Sequence, residues 1–70
     1  MDQDEKSRPV VRRIAASRVY TADGALYRNH VVELENGVLT SHYPLSGELA
    51  MTEWHDGTIV VDETQHIQLQ

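Results

Sequence analysis

The Asn36-Gly37 pair constrains this chain more than any other feature, because it separates two short runs of alternating apolar residues, Val31–Glu35 and Val38–Tyr43. A type I′ turn needs positive φ at both central residues, and Asn and Gly tolerate that best, so the segment predicts a two-stranded hairpin. Pairing outward from the turn sets Glu35 opposite Val38, Leu34 opposite Leu39, Glu33 opposite Thr40, Val32 opposite Ser41 and Val31 opposite His42. Side chains alternate between faces, so Val32, Leu34 and Leu39 share one face. Glu33, Glu35, Thr40 and His42 share the other. One face requires a core and the other faces water.

Seventy residues make at most one domain, and a chain of that size buries only about 60% of its unfolded surface. With no cysteine, neither disulfides nor a thiolate zinc site can reinforce so thin a core. Oligomerisation is the remaining common reinforcement, and a homodimer is expected. The lack of cysteine agrees with a reducing cytoplasm, where the chain is expected to reside. The opening MDQDEKSRP is charged and has no apolar stretch, so no secretory signal is expected. No run reaches the roughly 20 apolar residues of a membrane span.

Charge is distributed unevenly. All six basic residues (Lys6, Arg8, Arg12, Arg13, Arg18, Arg28) precede position 29, and residues 29–70 carry seven acids with no Lys or Arg. If the first strand pairs with later ones, opposite charges meet across the sheet and like charges do not. Overall acidity, at a net charge of −5, argues against nucleic acid as a partner.

In chain order, residues 1–9 read as a disordered arm closed by Pro9. Residues 10–62 form the expected β domain. Val10–Thr21 is rich in β-branched residues and is followed by Asp23-Gly24, which favours a strand over a helix. Its alternation is imperfect: Ile14, Ala16 and Tyr20 fall in one phase, Val11, Ala15 and Val19 in the other. A bulge near Ala15–Ser17, or burial on both faces, would reconcile them. Pro44–Gly47 is a turn by composition. Met51–Asp62 predicts a second hairpin tipped by Asp56-Gly57, with Trp54, Ile59 and Val61 facing the Val32, Leu34 and Leu39 set. Residues 63–70 are a frayed tail or an edge strand that pairs with a second subunit.

Few residues suggest chemistry. His30, His42, His55 and His66 invite a metal reading, but no two stand at i, i+2 or i, i+4, and the hairpin register sends His30 and His42 to opposite faces. Glu53 and His55 share a strand face as an acid and base pair, without a nucleophile beside them. Trp54, Tyr20, Tyr27 and Tyr43 fit a ligand slot, though a core this small needs large side chains. No catalytic, cofactor-binding or metal residue is assigned, and no phosphate loop or nucleophile elbow is present.

Taken in order, Ser17–Gly24, Val31–Leu39 and Thr52–Val61 resemble the opening strand, the hairpin and the last strands of the small N-terminal β domain of the amidohydrolase superfamily. In those enzymes a Pro-Gly segment and a His-x-His pair follow and begin the catalytic (β/α) barrel. Here Val60-Val61 runs into Asp62–Gln70 with a single histidine, His66. The resemblance therefore implies the accessory β domain without catalytic machinery: an all-β, partly open barrel or sandwich of antiparallel hairpins, of the composite-domain type found in metallo-dependent hydrolases. The expected function is a non-catalytic structural or protein-interaction module that self-associates. The alternatives are a detached accessory subunit of a separately encoded amidohydrolase barrel, and a small-ligand module that uses Tyr and Trp side chains in the mouth of the partial barrel.

Overall fold

The computed structural model describes residues 10–47 and 50–70; the arm expected over residues 1–9 lies outside them. Among the described residues five strands follow one another: β1 (Val11–Tyr20), β2 (Leu26–Glu35), β3 (Val38–Pro44), β4 (Glu53–Val61) and β5 (Ile67–Leu69). They form one sheet in the order β3-β2-β1-β4-β5. The chain is all-β, as expected. It is neither a sandwich nor purely antiparallel, because β4 lies parallel to β1 while the other three pairings are antiparallel. Among the described residues no helix is long and apolar enough to cross a membrane.

Asn36 (φ 53°) and Gly37 (φ 84°) both occupy the left-handed region that a type I′ turn requires. The Asn36 side chain also works outside the turn: its Oδ1 accepts from the Val10 amide at 3.0 Å, and its own amide donates to the Val10 carbonyl at 2.8 Å.

Asp56-Gly57 is not a hairpin tip. Residues 53–61 run as one nine-residue strand because β4 pairs along the length of β1, which satisfies more backbone groups than two four-residue strands would. The stretch between β3 and β4 has both described ends held against the sheet. The Leu45 amide donates to the Asn29 carbonyl at 2.8 Å, and Arg13 Nη1 reaches the Ala50 carbonyl at 3.5 Å.

The irregularity expected near Ala15–Ser17 is present. Ala16 pairs with His55 and Arg18 with Thr58, so two steps on β1 oppose three on β4. On the other side Ala16 pairs with His30 and Arg18 with Arg28 without a register shift. Asn29, opposite the break, has φ 48°. β1 and β2 thus reverse their side-chain phase together, and β4 absorbs the difference with one extra residue. Ile14 and Ala16 before the break and Val19 after it therefore all enter the same core.

That core contains Ile14, Ala16, Val19, Val32, Leu34, Ile59 and Val61, with Tyr27, Leu39 and Ile67 packed against it. Each large apolar side chain buried there contributes about 1.5–3 kcal/mol relative to exposure. Trp54 does not join them as expected; it pairs with Ala15 on the outer face and is 56% exposed. The reason is the continuity of β4, which places Trp54 and Ile59 on opposite faces where a turn would have placed them together.

β5 is an edge strand within its own chain, antiparallel to β4. The turn before it is built by Asp62, whose Oδ1 accepts from the Thr64 amide (2.9 Å), the Thr64 hydroxyl (2.6 Å) and the His66 amide (3.0 Å). The sheet curls until this turn meets β3, where the Leu39 amide donates to the Gln65 carbonyl at 2.8 Å. β3 and β5 themselves do not pair, so the curl stops short of a closed barrel.

Charge pairing follows the expected asymmetry at two places. Arg13 Nε meets Glu33 Oε2 at 3.0 Å, and Arg12 forms a two-pronged pair with Glu53 at 2.8 and 2.9 Å. It fails at a third, where Arg18 stands directly opposite Arg28.

Candidate functional site

A concavity lies at the seam where the curled sheet nearly closes. It is a cleft of about 290 Å³ lined by Thr21, Ala22, Asp23, Tyr27, Leu39, His42 and Gln65. Two backbone irregularities build its inner wall. The first is the phase reversal at Asn29, which puts Tyr27 and His30 on the core side although they are three residues apart. The second is a bulge in β3: Leu34 pairs with Leu39 but Glu33 pairs with Ser41, leaving Thr40 as the extra residue. From that point the hairpin register differs by one from the expected one. Val32 faces His42 and Val31 faces Tyr43.

The consequence is chemical. His42 moves to the face of His30, and His30 Nε2 lies 2.9 Å from His42 Nδ1. Tyr27 stacks on His30 with ring centroids 4.4 Å apart and planes at 20°, and it tilts against His42 at 5.1 Å. His30 is the one buried polar residue of the described core, at 4% exposure. Burial, reinforced by the neighbouring His42, pushes its imidazole below the usual 6.5, because charging it would cost solvation that the site does not return.

At the rim Asp23 closes the β1–β2 turn. Its Oδ1 accepts from the Thr21 hydroxyl and from the Ala25 amide at 3.4 Å. These hydrogen bonds, the Thr21 one foremost, hold its carboxyl below the usual carboxylate range. Gly24 (φ 90°) follows in a conformation that a side chain would strain.

The other suggested residues do not converge. His55 Nε2 contacts the Gln70 carbonyl at 2.9 Å, and His66 Nδ1 lies 2.9 Å from the Thr64 hydroxyl. Glu53 is committed to Arg12, so the Glu53 and His55 pair makes no acid–base contact. Tyr43 belongs to the outer face, where its hydroxyl donates to Glu33 at 2.5 Å. Among the described residues no three His, Asp or Glu side chains approach as metal ligands.

The separation of His30 and His42 expected from the register is therefore overturned. Asn29 is a usable hint, since Asn is among the few residue types that enter the left-handed region readily. Nothing at Thr40 marks its bulge.

The fold and seam define a small all-β domain with a curled mixed sheet and an aromatic–imidazole cleft at its open edge. No family model matches the chain, and neither a curated protein nor a solved structure matches it.

Proposed function

We propose that this chain is a non-catalytic β module, similar to the accessory composite domain of the amidohydrolases, that acts as a homodimer in the cytoplasm. The reading is supported by one observation above all. On the outer face Leu26, Tyr20 and Val60 stand in a single cross-strand row, with Tyr20 42% and Leu26 39% exposed. Directly beside it runs the row Arg28, Arg18 and Thr58. Two guanidinium groups facing each other repel, and the arrangement is relieved when a carboxylate comes between them. Among the described residues the Arg18 guanidinium hydrogen-bonds only to the Thr58 hydroxyl, at 3.3 Å.

A second copy supplies both halves of the complement: another apolar row, and the acidic remainder of a chain whose residues 29–70 hold seven acids and no Lys or Arg. The test is the solution mass by light scattering and sedimentation across concentration and salt, for the full chain and for a Tyr20→Ser, Leu26→Ser variant. The proposal expects a dimer that weakens with salt and a monomeric variant. A chain that is monomeric throughout, or a dimer indifferent to the double substitution, overturns it. A monomer that instead docks on a co-expressed amidohydrolase barrel replaces the second copy with the detached-subunit reading.

A further inference from the structure

We infer that the seam cleft is a binding site for a small organic cation, of the short aliphatic ammonium class, with Asp23 as its counter-charge and Tyr27 as its aromatic wall. This does not depend on the homodimer, whose face lies on the other side of the sheet.

Sign of charge comes first. The cleft lining contains one carboxylate and no Lys or Arg. The strands and turn that form its far side come from residues 38–70, a stretch without a single basic Lys or Arg. Asp23 is exposed at the rim and is fixed in place through Oδ1, which the Thr21 hydroxyl and the Ala25 amide both engage. Its second oxygen has no partner among the described residues. A preorganised carboxylate with an open oxygen attracts a cation without having to be ordered on binding.

The inner wall is aromatic. Tyr27 is clamped by its stack on His30 and its tilt against His42, so it meets a ligand as a rigid surface. The face of a tyrosine ring attracts an ammonium through its quadrupole, more strongly when water is excluded. His42 is tied to His30 through Nδ1, and its other ring nitrogen has no partner among the described residues.

Size and polarity set the rest. At about 290 Å³ the cleft lies at the lower limit for small-molecule sites, which run from roughly 300 Å³ upward. Leu39 and Ala22 supply apolar surface for a short alkyl chain. Leu39 and Gln65 are held together by the 2.8 Å backbone hydrogen bond across the seam, so that wall is fixed as well.

The experiment is an amide chemical-shift titration of the full chain with n-butylammonium, n-butanol and butyrate at equal ionic strength. The inference expects saturable shifts at Ala22, Asp23, Leu39 and Gln65 with n-butylammonium, and binding at least about tenfold weaker for the neutral alcohol and the anion, a difference of about 1.4 kcal/mol. Asp23→Asn keeps an oxygen for the Thr21 and Ala25 hydrogen bonds and removes the charge, and it is expected to weaken n-butylammonium about tenfold while leaving n-butanol unchanged. Should that variant fail to fold, the three-ligand comparison on the native chain decides alone. Equal response to the three probes, shifts elsewhere, or undiminished ammonium binding by Asp23→Asn overturns the assignment.

Discussion

Gly57 offers the sharpest test of how β4 and the chain's end fit together. A Cβ added at this position would collide with the Gln70 carbonyl oxygen and come within 3.1 Å of His55 Nε2. The imidazole can rotate away, but the carbonyl is backbone. Besides the His55 Nε2 contact with its carbonyl, Gln70 is bound to β4 by two backbone hydrogen bonds, Thr58 amide to Gln70 carbonyl at 3.0 Å and Gln70 amide to Thr58 carbonyl at 2.8 Å. Gly57→Ala must displace Gln70 and lose both, at about 0.5–1.5 kcal/mol each, so a loss of about 1–3 kcal/mol is expected. Gly57 does not have positive φ, so once the collision is removed, alanine is compatible with the backbone. In a chain lacking Gln70, Gly57→Ala is therefore expected to stabilise by about 0.4–1 kcal/mol, through the reduced freedom of the unfolded state. Urea denaturation of the four proteins, with and without each change, measures this as a double-mutant cycle. The sign of the Gly57→Ala effect should reverse between backgrounds. An equal destabilisation in both would refute the collision as its cause.

Three further outcomes follow from the same structure. His30 is held below 6.5 by burial and by His42, so below pH 6.5 the unfolded chain takes up a proton that the folded chain resists. Its contribution is complete above that pH and is lost as pH falls through the lower folded value; thermal melts from pH 8 to 5 should show this decline, and His30→Leu should flatten it. The Tyr43 hydroxyl and then Arg13 hold Glu33 below its usual 4.5, so Glu33 stabilises above that pH and its effect disappears on acidification. Glu33→Gln should lower the urea midpoint at pH 7, with the gap closing as pH falls below 4.5 and through the lowered folded value. Asn36→Ala places a Cβ-bearing residue with no local hydrogen bond at φ 53° and removes the Val10 contact. A cost of about 1–2 kcal/mol is expected, read as a fall in Tm of about 4–8 °C per kcal/mol, whereas Asn36→Gly should lose less.

Local chemistry was legible where a residue type answers a local demand. Asn36-Gly37 specified a turn because few residues accept left-handed φ, and the β-branched run of β1 specified a strand. Its two conflicting phases revealed an irregularity near Ser17. The early arginines and late acids anticipated Arg12 with Glu53 and Arg13 with Glu33. Asp56-Gly57 misled for the same reason that Asn36-Gly37 did not: a dipeptide able to turn is obliged to do so only when no longer partner strand is offered. At Asp56-Gly57, β1 offered one.

The sequence by itself determined that this is an all-β chain with a thin core, since period-two apolar patterns and turn residues are properties of neighbours along the chain. Beyond the β2–β3 hairpin, tertiary structure alone decided which strands met, and hence the parallel pairing of β4 with β1, the exposure of Trp54 and the opposition of Arg18 to Arg28. It also decided the cleft. Tyr27, His30 and His42 come together only because β2 reverses phase at Asn29 and β3 gains a residue at Thr40. A one-residue change of register moves every later side chain to the other face, and its energetic cause lies in the packing of the whole sheet rather than in the residue that bulges.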